Sequence, residues 1–213
     1  MKRYEKAGIW GEAVLISTGF MVFSFFIHYP GPVKLLAFVA LIFSALRIAN
    51  KCINLSDCKL LIGFKVRGRY MWLFTGAGLV AGIILAFVYR DYLETSLLPV
   101  KPGFFLIPAA LIGSTEEMVF RGFLQGYTSK VSGWGSVLFG SLAHTGYKCC
   151  LFMSPATPDS TDVIILAVWT FIAGMLFGTL RHLSGSIIPP VAGHAVFDIL
   201  VYGEYSQAPW WVW

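Results

Sequence analysis

Seven apolar runs dominate the sequence, and each is about 20 residues long, the length that a helix needs to cross a bilayer. They cover residues 7–28, 33–51, 70–89, 103–125, 134–153, 162–182 and 184–203. Because 57% of the residues are hydrophobic and only 13% are charged, little sequence remains from which a soluble domain could be built. The fold class that we predict is an all-α polytopic transmembrane helix bundle with about seven (six to eight) spans. We expect residues 1–213 to form a single integral-membrane domain.

The positions of Lys and Arg predict how these helices are oriented. With the N-terminus in the cytoplasm, eleven of the 16 basic residues fall at inner loops and helix ends, and Arg121 falls inside the bilayer. The four at outer loops and ends are Lys34, Arg90, Lys101 and Lys148. This asymmetry follows the positive-inside rule. The net charge of +5 then reflects the inner surface and its attraction to anionic lipid, so membrane lipid is an expected partner and nucleic acid is not.

Three of the apolar runs contain two glycines that are four residues apart. The pairs are Gly78 and Gly82, Gly122 and Gly126, and Gly174 and Gly178. Small residues at this spacing let the backbones of two helices approach closely. Together the three pairs predict a compact bundle.

Three charged residues interrupt the fourth apolar run, namely Glu116, Glu117 and Arg121. A charge at bilayer depth is costly, so each needs a partner or a function. Glu117 and Arg121 are four residues apart, and a helix therefore places them on one face as an ion pair. Glu116 points about 100° away from Glu117 and has no partner nearby in the sequence. We predict that Glu116 is the free carboxylate of a functional site.

Two histidines and an aspartate are predicted at the depth of Glu116. His144 lies about 15 Å along the fifth helix from its cytoplasmic end, at 1.5 Å per residue, and His194 enters the seventh helix from the same side. Asp198 follows His194 by four residues, so it lies on the same helical face. There its carboxylate could orient the imidazole or help to hold a reacting water. These residues predict one polar site buried in the membrane.

Two motifs of the sequence resemble those of a known family. EEMVFRG, which begins at Glu116, resembles the EExxxR signature of the CAAX protease and bacteriocin-processing family. These proteins are intramembrane endopeptidases and include the type II CAAX prenyl proteases. HAVFD, which begins at His194, is similar to the last motif of the family, a His followed four residues later by Asn or Asp.

The middle motif of the family, Phe-x-x-x-His, is altered in this sequence. Phe139 precedes His144 by five residues, and Gly140 occupies the position expected for Phe. The resemblance covers roughly residues 104–202, about half of the chain, and predicts a catalytic motif-bearing core there.

The resemblance implies a role for each residue of the site. Glu116 would activate a water, and Glu117 and Arg121 would support it. The oxyanion would be stabilised by His144, His194 and Asp198. A base for water and donors for an oxyanion are the two parts that peptide hydrolysis needs. The prediction is a glutamate-type intramembrane protease, similar to a CAAX prenyl endopeptidase, with no cofactor.

Two alternatives remain open from the sequence. Glu116, His144 and His194 form a carboxylate and two histidines that match a catalytic zinc site with an open position, although no His-Glu-x-x-His motif is present. The chain could also be a non-enzymatic membrane protein, such as a transporter, scaffold or immunity factor, whose polar cluster is structural. Transport favours polar residues along a path between the two sides, and the outer halves of these helices have few.

The expected substrate is a peptide or protein at the membrane, lipidated or membrane-anchored. A prenylated C-terminus, a sorting-signal helix and a bacteriocin leader each fit a site that opens sideways between helices. The expected location is the inner membrane of a prokaryotic cell, with the N-terminus in the cytoplasm.

Overall fold

Every secondary-structure element that the structure describes is a helix. The computed structural model describes residues 3–52, 55–64, 70–156, 162–206 and 209. The elements are α1 (Arg3–Phe26), α2 (Val33–Lys51), α3 (Leu55–Ile62), α4 (Met71–Tyr92), α5 (Leu106–Glu117), a π-helical segment (Met118–Leu124), α6 (Gln125–Thr128), α7 (Gly133–Met153), α8 (Val163–Ser184) and α9 (Ile188–Tyr202). The predicted all-α helix bundle is confirmed.

Each of the seven predicted spans coincides with a helix. In chain order these are α1, α2, α4, the continuous helix over residues 106–128, α7, α8 and α9. Within the described ranges, four helices are long and apolar enough to cross a membrane: Tyr4–Phe26, Val33–Lys51, Met71–Tyr92 and Val163–Ser184. Helix α9 is apolar but has only 15 residues. Helix α7 and the helix over 106–128 carry the charged and histidine residues of the predicted site, which makes them less apolar.

The glycines of α4 bring this helix into close contact with α9. Gly78 lies against the carbonyl of Pro189, and Gly82 lies against the carbonyl of Gly193, so that a Cβ at either glycine would collide with the backbone of α9. The predicted close approach is therefore confirmed for this pair. Because Gly193 precedes His194, the contact also fixes the depth of that histidine.

The other two glycine pairs are also at helix contacts. Gly122 and Gly126 face α3, and a Cβ at Gly122 would lie 3.1 Å from an atom of that helix. On α8, a Cβ at Gly174 would lie 3.0 Å from Arg121 Nη2, and a Cβ at Gly178 would lie 3.0 Å from a side chain of α7. The small residues of α8 thus leave space for the guanidinium.

Only three residues separate the end of α8 from the start of α9. Gly185, with φ of +66°, ends α8 in the left-handed conformation that glycine adopts without strain. Pro189 lies in the first turn of α9, where the missing N–H has no intrahelical partner to lose. This tight connection places His194 and Asp198 beside α8.

Arg90 joins the ends of α4 and α9. Its guanidinium donates to the carbonyls of Ser96 and Leu200, at 2.5 and 2.8 Å, and lies 3.1 Å from Glu204 Oε2. Two backbone hydrogen bonds, Gly103 N–H to Gly203 O at 2.6 Å and Phe105 N–H to Tyr205 O at 3.1 Å, attach the following loop to the same place. The C-terminal ends of α4 and α9 therefore lie on one side of the molecule.

The apolar core lies where α1 meets α7 and the π-helical segment. Buried side chains that share this core include Ile16, Phe20, Phe23, Phe120, Phe123, Leu124 and Leu151. Helix α2 packs on α1 and presents exposed Leu35, Val39, Ile42 and Leu46 on its outer face, as a lipid-facing helix does. Of the basic residues predicted at the inner side, Lys2, Lys65, Arg67 and Arg69 lie outside the described residues.

Candidate active site

The two glutamates lie at the C-terminal end of α5, directly before the π-helical segment Met118–Leu124. Such wide turns are rare in helices and occur frequently at functional sites. Glu117 is fully buried, and Glu116 is 8% exposed. Although they are adjacent in sequence, the two carboxylates have different partners.

Glu117 binds two donors through a single oxygen. Its Oε1 lies 2.9 Å from Arg121 Nη1 and 2.9 Å from His194 Nδ1. The ion pair that the spacing predicted is therefore confirmed. Because the oxygen of a carboxylate paired with Arg accepts hydrogen bonds, Nδ1 of His194 carries a proton. The network thus directs Nε2 of His194 away from Glu117, toward Glu116.

His144 is held in the opposite tautomer by Arg121. Its Nδ1 lies 2.8 Å from Arg121 Nη1, and a guanidinium has donors only, so Nδ1 accepts. The proton of the neutral ring then lies on Nε2, which is 3.1 Å from Glu116 Oε2 and donates to it. These tautomers are assigned from the hydrogen-bond network.

The prediction that Glu116 is a free carboxylate, and that Lys148 belongs to the outer loops and ends, is wrong. Lys148 lies on α7, one turn after His144, and its Nζ is 2.5 Å from Glu116 Oε1. Its side chain is 20% exposed, so the ammonium is part of the site and not of a loop. The spacing of four between His144 and Lys148 was the available signal, because it places both on one face of a helix.

His194 and Asp198 complete the group. His194 Nε2 lies 3.9 Å from Glu116 Oε2 and 3.8 Å from Asp198 Oδ2, both longer than a direct hydrogen bond. Asp198 is 6% exposed and lies on the same face of α9 as His194, as predicted. Separations of this kind suit a water that bridges the three groups.

A cavity of about 140 Å³ opens at these residues. Its polar wall consists of Glu116, Arg121, His144, Lys148, His194 and Asp198. Its remaining wall, mostly apolar and aromatic, consists of Leu85, Tyr89, Ala109, Ile112, Phe152, Leu166, Trp169, Thr170, Ala173, Phe177, Phe197 and Tyr202. Since one water occupies about 30 Å³ of liquid, the cavity has room for several waters or for part of a peptide. Glu117 lies behind this wall.

One comparison with known proteins finds a family with a similar sequence. Residues 98–200 match the family described as type II CAAX prenyl endopeptidase, Rce1-like. This match covers slightly less than half of the chain, and it confirms the predicted resemblance to the CAAX protease family. No curated protein and no solved structure matches the chain. The matched region contains all six predicted site residues, and the match supports the predicted class, a CAAX-type intramembrane endopeptidase.

In this chain a different aromatic residue supports His144. The ring of Phe120 lies 4.7 Å from the ring of His144, whereas Phe139 packs on Trp10 at 5.3 Å. A Cβ at Gly140 would lie 3.1 Å from the carbonyl oxygen of Phe120. A side chain at position 140 would thus crowd the π-helical segment, and Phe120 of that segment packs against the histidine instead.

The residues of the site do not fit a catalytic zinc ion in this arrangement. Zinc binds a lone pair of a neutral imidazole, but Nδ1 of His144 accepts from Arg121 and its Nε2 carries the proton. The ammonium of Lys148 already binds Glu116 Oε1. Among the described residues, no group of three or more His, Cys, Asp or Glu side chains is arranged to hold a metal ion.

Proposed function

We propose that this chain is an intramembrane endopeptidase that hydrolyses a peptide bond near the membrane with a water activated by Glu116. One observation carries the proposal: Glu116 Oε2 faces the cavity, 3.1 Å from His144 Nε2 and 3.9 Å from His194 Nε2. A carboxylate beside two imidazoles offers a proton acceptor together with hydrogen-bonding groups for a water and an oxyanion. The family supports the peptidase class.

The nucleophile is a water held among Glu116, His194 and Asp198. In the tautomer set by Glu117, His194 Nε2 has a lone pair that accepts from this water. Glu116 Oε2 accepts the proton of the water as its oxygen bonds to the carbonyl carbon of the peptide. Both hydrogens of the water are then used, so Asp198 in its protonated form, 3.8 Å from the imidazole, holds the water by donating to the water oxygen.

The oxyanion is stabilised by the N–H of His144. This donor is already fixed, because Arg121 occupies the other ring nitrogen and Phe120 packs on the ring. As Glu116 becomes protonated, its oxygen becomes a weaker hydrogen-bond acceptor. At the same time the carbonyl oxygen of the peptide gains negative charge and becomes a stronger acceptor. The N–H of His144 therefore transfers its hydrogen bond from Glu116 to the oxyanion. A preorganised donor of this kind contributes about 2.7–4 kcal/mol to catalysis.

The reaction is completed when Glu116 returns its proton. The carbon–nitrogen bond breaks, and the proton moves from Glu116 to the leaving amine. The products are a carboxylic acid and an amine, which exchange a proton to become a carboxylate and an ammonium. Glu117 acts on this sequence through its partners, since it holds Arg121 and His194 in place. It is a positioning residue.

The substrate that we propose is a lipidated or membrane-anchored peptide. The apolar part of the cavity wall, from α4, α7 and α8, suits an apolar chain or anchor that approaches within the bilayer. The distribution of Lys and Arg supports a cytoplasmic N-terminus, and we assign the protein to the inner membrane of a prokaryotic cell.

Hydrolysis of peptides by the purified full chain in liposomes tests this proposal. The probe is a library of palmitoylated decapeptides of mixed sequence, and mass spectrometry detects the cleaved products. Glu116→Gln should lower the rate by about 10²–10⁴-fold, the usual contribution of a general base. Glu12→Gln is the matched control, because it removes a carboxylate that pairs with Arg47 between α1 and α2, outside the cavity.

Two results would contradict the proposal. Wild-type activity in Glu116→Gln would remove the catalytic assignment. The absence of any cleavage by the wild type would favour a structural or transport role for the same cluster.

A further inference from the structure

Lys148 is a cation that the proposed hydrolysis does not use. The negative charge of Glu117 is paired with Arg121. The imidazoles of His144 and His194 contact the water and the oxyanion in the proposed reaction. The ammonium of Lys148 nevertheless lies on the cavity wall, with its side chain only 20% exposed. Placing an ammonium there is costly, so its position requires an anion.

The position of Lys148 separates it from the reacting atoms. It binds Oε1 of Glu116, whereas both imidazoles face Oε2. The ammonium therefore lies on the far side of the carboxylate from the proposed water. A ligand group on that side of Glu116 would meet the ammonium without displacing the proposed water.

Lys148 also has hydrogen-bonding capacity left. An ammonium has three N–H donors. In the part of the chain that the structure describes, the hydrogen bond of Lys148 is the one to Glu116 Oε1. The remaining donors border a cavity whose other basic side chain, Arg121, is held by Glu117 and His144. Arg121 also has two donors without a partner among the described residues, but its side chain is 1% exposed, against 20% for Lys148. An anionic ligand entering this cavity would therefore reach Lys148 first.

The ion pair of Lys148 with Glu116 opposes the proposed role of Glu116, which is to accept a proton from water. A positive charge beside a carboxylate stabilises the ionised form. Glu116 accepts a proton from water more readily when the ammonium has another anion as partner. A carboxylate of the substrate would supply that anion and would release Glu116 in the same event.

We propose that Lys148 binds a carboxylate of the peptide substrate, close to the scissile bond, in exchange for Glu116. This inference rests on the proposed function and adds a specificity-determining residue to it. The carboxylate could belong to the C-terminus of the peptide or to an acidic side chain, and both present the same chemistry to an ammonium. Without such a substrate, the pair of Lys148 and Glu116 holds the base in an unreactive state.

The test compares three versions of the palmitoylated decapeptide library on the full chain in liposomes. One version ends in a free carboxylate, the second in an amide, and the third in an amide with Glu at the last position. The variants are Lys148→Met, which keeps the length of the side chain without its charge, and Lys148→Arg, which keeps the charge. Lys34→Met is the matched control, because Lys34 is exposed and lies outside the cavity.

The wild type and Lys34→Met should cleave the free acid at least about tenfold faster than the amide, a difference of about 1.4 kcal/mol. In Lys148→Met this preference should fall to about twofold or less, mainly through slower cleavage of the acid. Lys148→Arg should retain the preference. If the wild type cleaves the third library faster than the simple amide, an acidic side chain is a second source of the carboxylate.

Equal cleavage of acid and amide by the wild type would overturn the role of Lys148 and leave the peptidase intact. A preference that persists in Lys148→Met would do the same. If the wild type cleaves no library, the peptidase proposal fails. Melting temperatures of the wild type and Lys148→Met, measured with the free-acid library, then test whether Lys148 binds a carboxylate. The free-acid library should then stabilise the wild type and not Lys148→Met, and equal shifts in both proteins would refute carboxylate binding.

Discussion

Adjacent glutamates at the same depth of one helix are bound to different cations. Glu117 belongs to a closed network with Arg121 and His194, while Glu116 faces the cavity with Lys148 and His144 as partners. Removal of each carboxylate should therefore have a different consequence.

Glu117→Gln should destabilise the protein. It removes the charge opposite Arg121, whose Nε and Nη2 are already buried without a hydrogen-bond partner in the described part of the chain. Breaking a buried ion pair costs about 3–5 kcal/mol, so we expect a clearly lower melting temperature together with lower activity. Thermal unfolding in detergent measures this change.

Glu12→Gln provides the comparison for Glu117→Gln. It breaks an ion pair with Arg47, whose side chain is 40% exposed, and exposed pairs contribute little to stability. A melting temperature of Glu117→Gln equal to that of Glu12→Gln would show that Arg121 finds another anion.

At the residue scale, sequence reasoning could find what lies within one helix. The spacing of Glu117 and Arg121 predicted their ion pair, because four residues form one turn. The contact of Lys148 with Glu116 spans 32 positions, and that of Arg121 with His144 spans 23. Such contacts depend on which faces of different helices meet. The sequence alone does not fix the rotation of one helix relative to another.

At the scale of elements, the contact of α4 with α9 makes a prediction about glycine. Gly82→Ala would place a Cβ against the carbonyl of Gly193, and backbone cannot move aside as a flexible side chain can. Helix α9 would shift with His194 and Asp198, so activity should decrease by more than the loss of folded protein explains. Peptide cleavage normalised to folded protein measures this effect.

Gly76→Ala is the matched control on the same helix. Nothing lies within 4 Å of a Cβ at Gly76, and alanine is a better helix former than glycine by about 1 kcal/mol. This variant should be as active as the wild type and equally or more stable. Equal behaviour of Gly82→Ala and Gly76→Ala would mean that α4 does not position the site.

The elements themselves were largely predictable, because apolar runs of membrane length become helices. The π-helical segment was not, since its wide turn depends on what surrounds it. Phe120 of that segment packs between His144 at 4.7 Å and Tyr147 at 5.5 Å, and both of these residues belong to α7. The sequence motif marked this stretch as functional without indicating its backbone.

At the scale of the whole molecule, the arrangement of helix ends supports seven crossings. Arg90 ties the C-terminal ends of α4 and α9 together, and these ends share the outer side if each of the seven helices crosses once. On the other side, Ile187 N–H donates to Gly63 O at 3.0 Å, which joins the start of α9 to the end of α3.

Reporter fusions test this topology. A reporter after Lys130 should lie in the cytoplasm, and one after Trp213, which lies outside the described residues, should lie on the opposite side. Both reporters on one side would mean that one helix, most simply the 15-residue α9, enters the membrane without crossing it.

The π-helical segment also sets how the side chains after it are rotated, about the axis of one long helix, relative to the side chains before it. Upstream of it, Glu116 and Glu117 turn toward α7 and α9, and downstream Gln125 donates from Nε2 to the carbonyl of Gly178 on α8 at 2.8 Å. Loss or gain of one residue between these positions rotates one half against the other by about 100°. In this chain the length of the stretch therefore matters as much as its composition, because a change in length would take one half out of register with its neighbours.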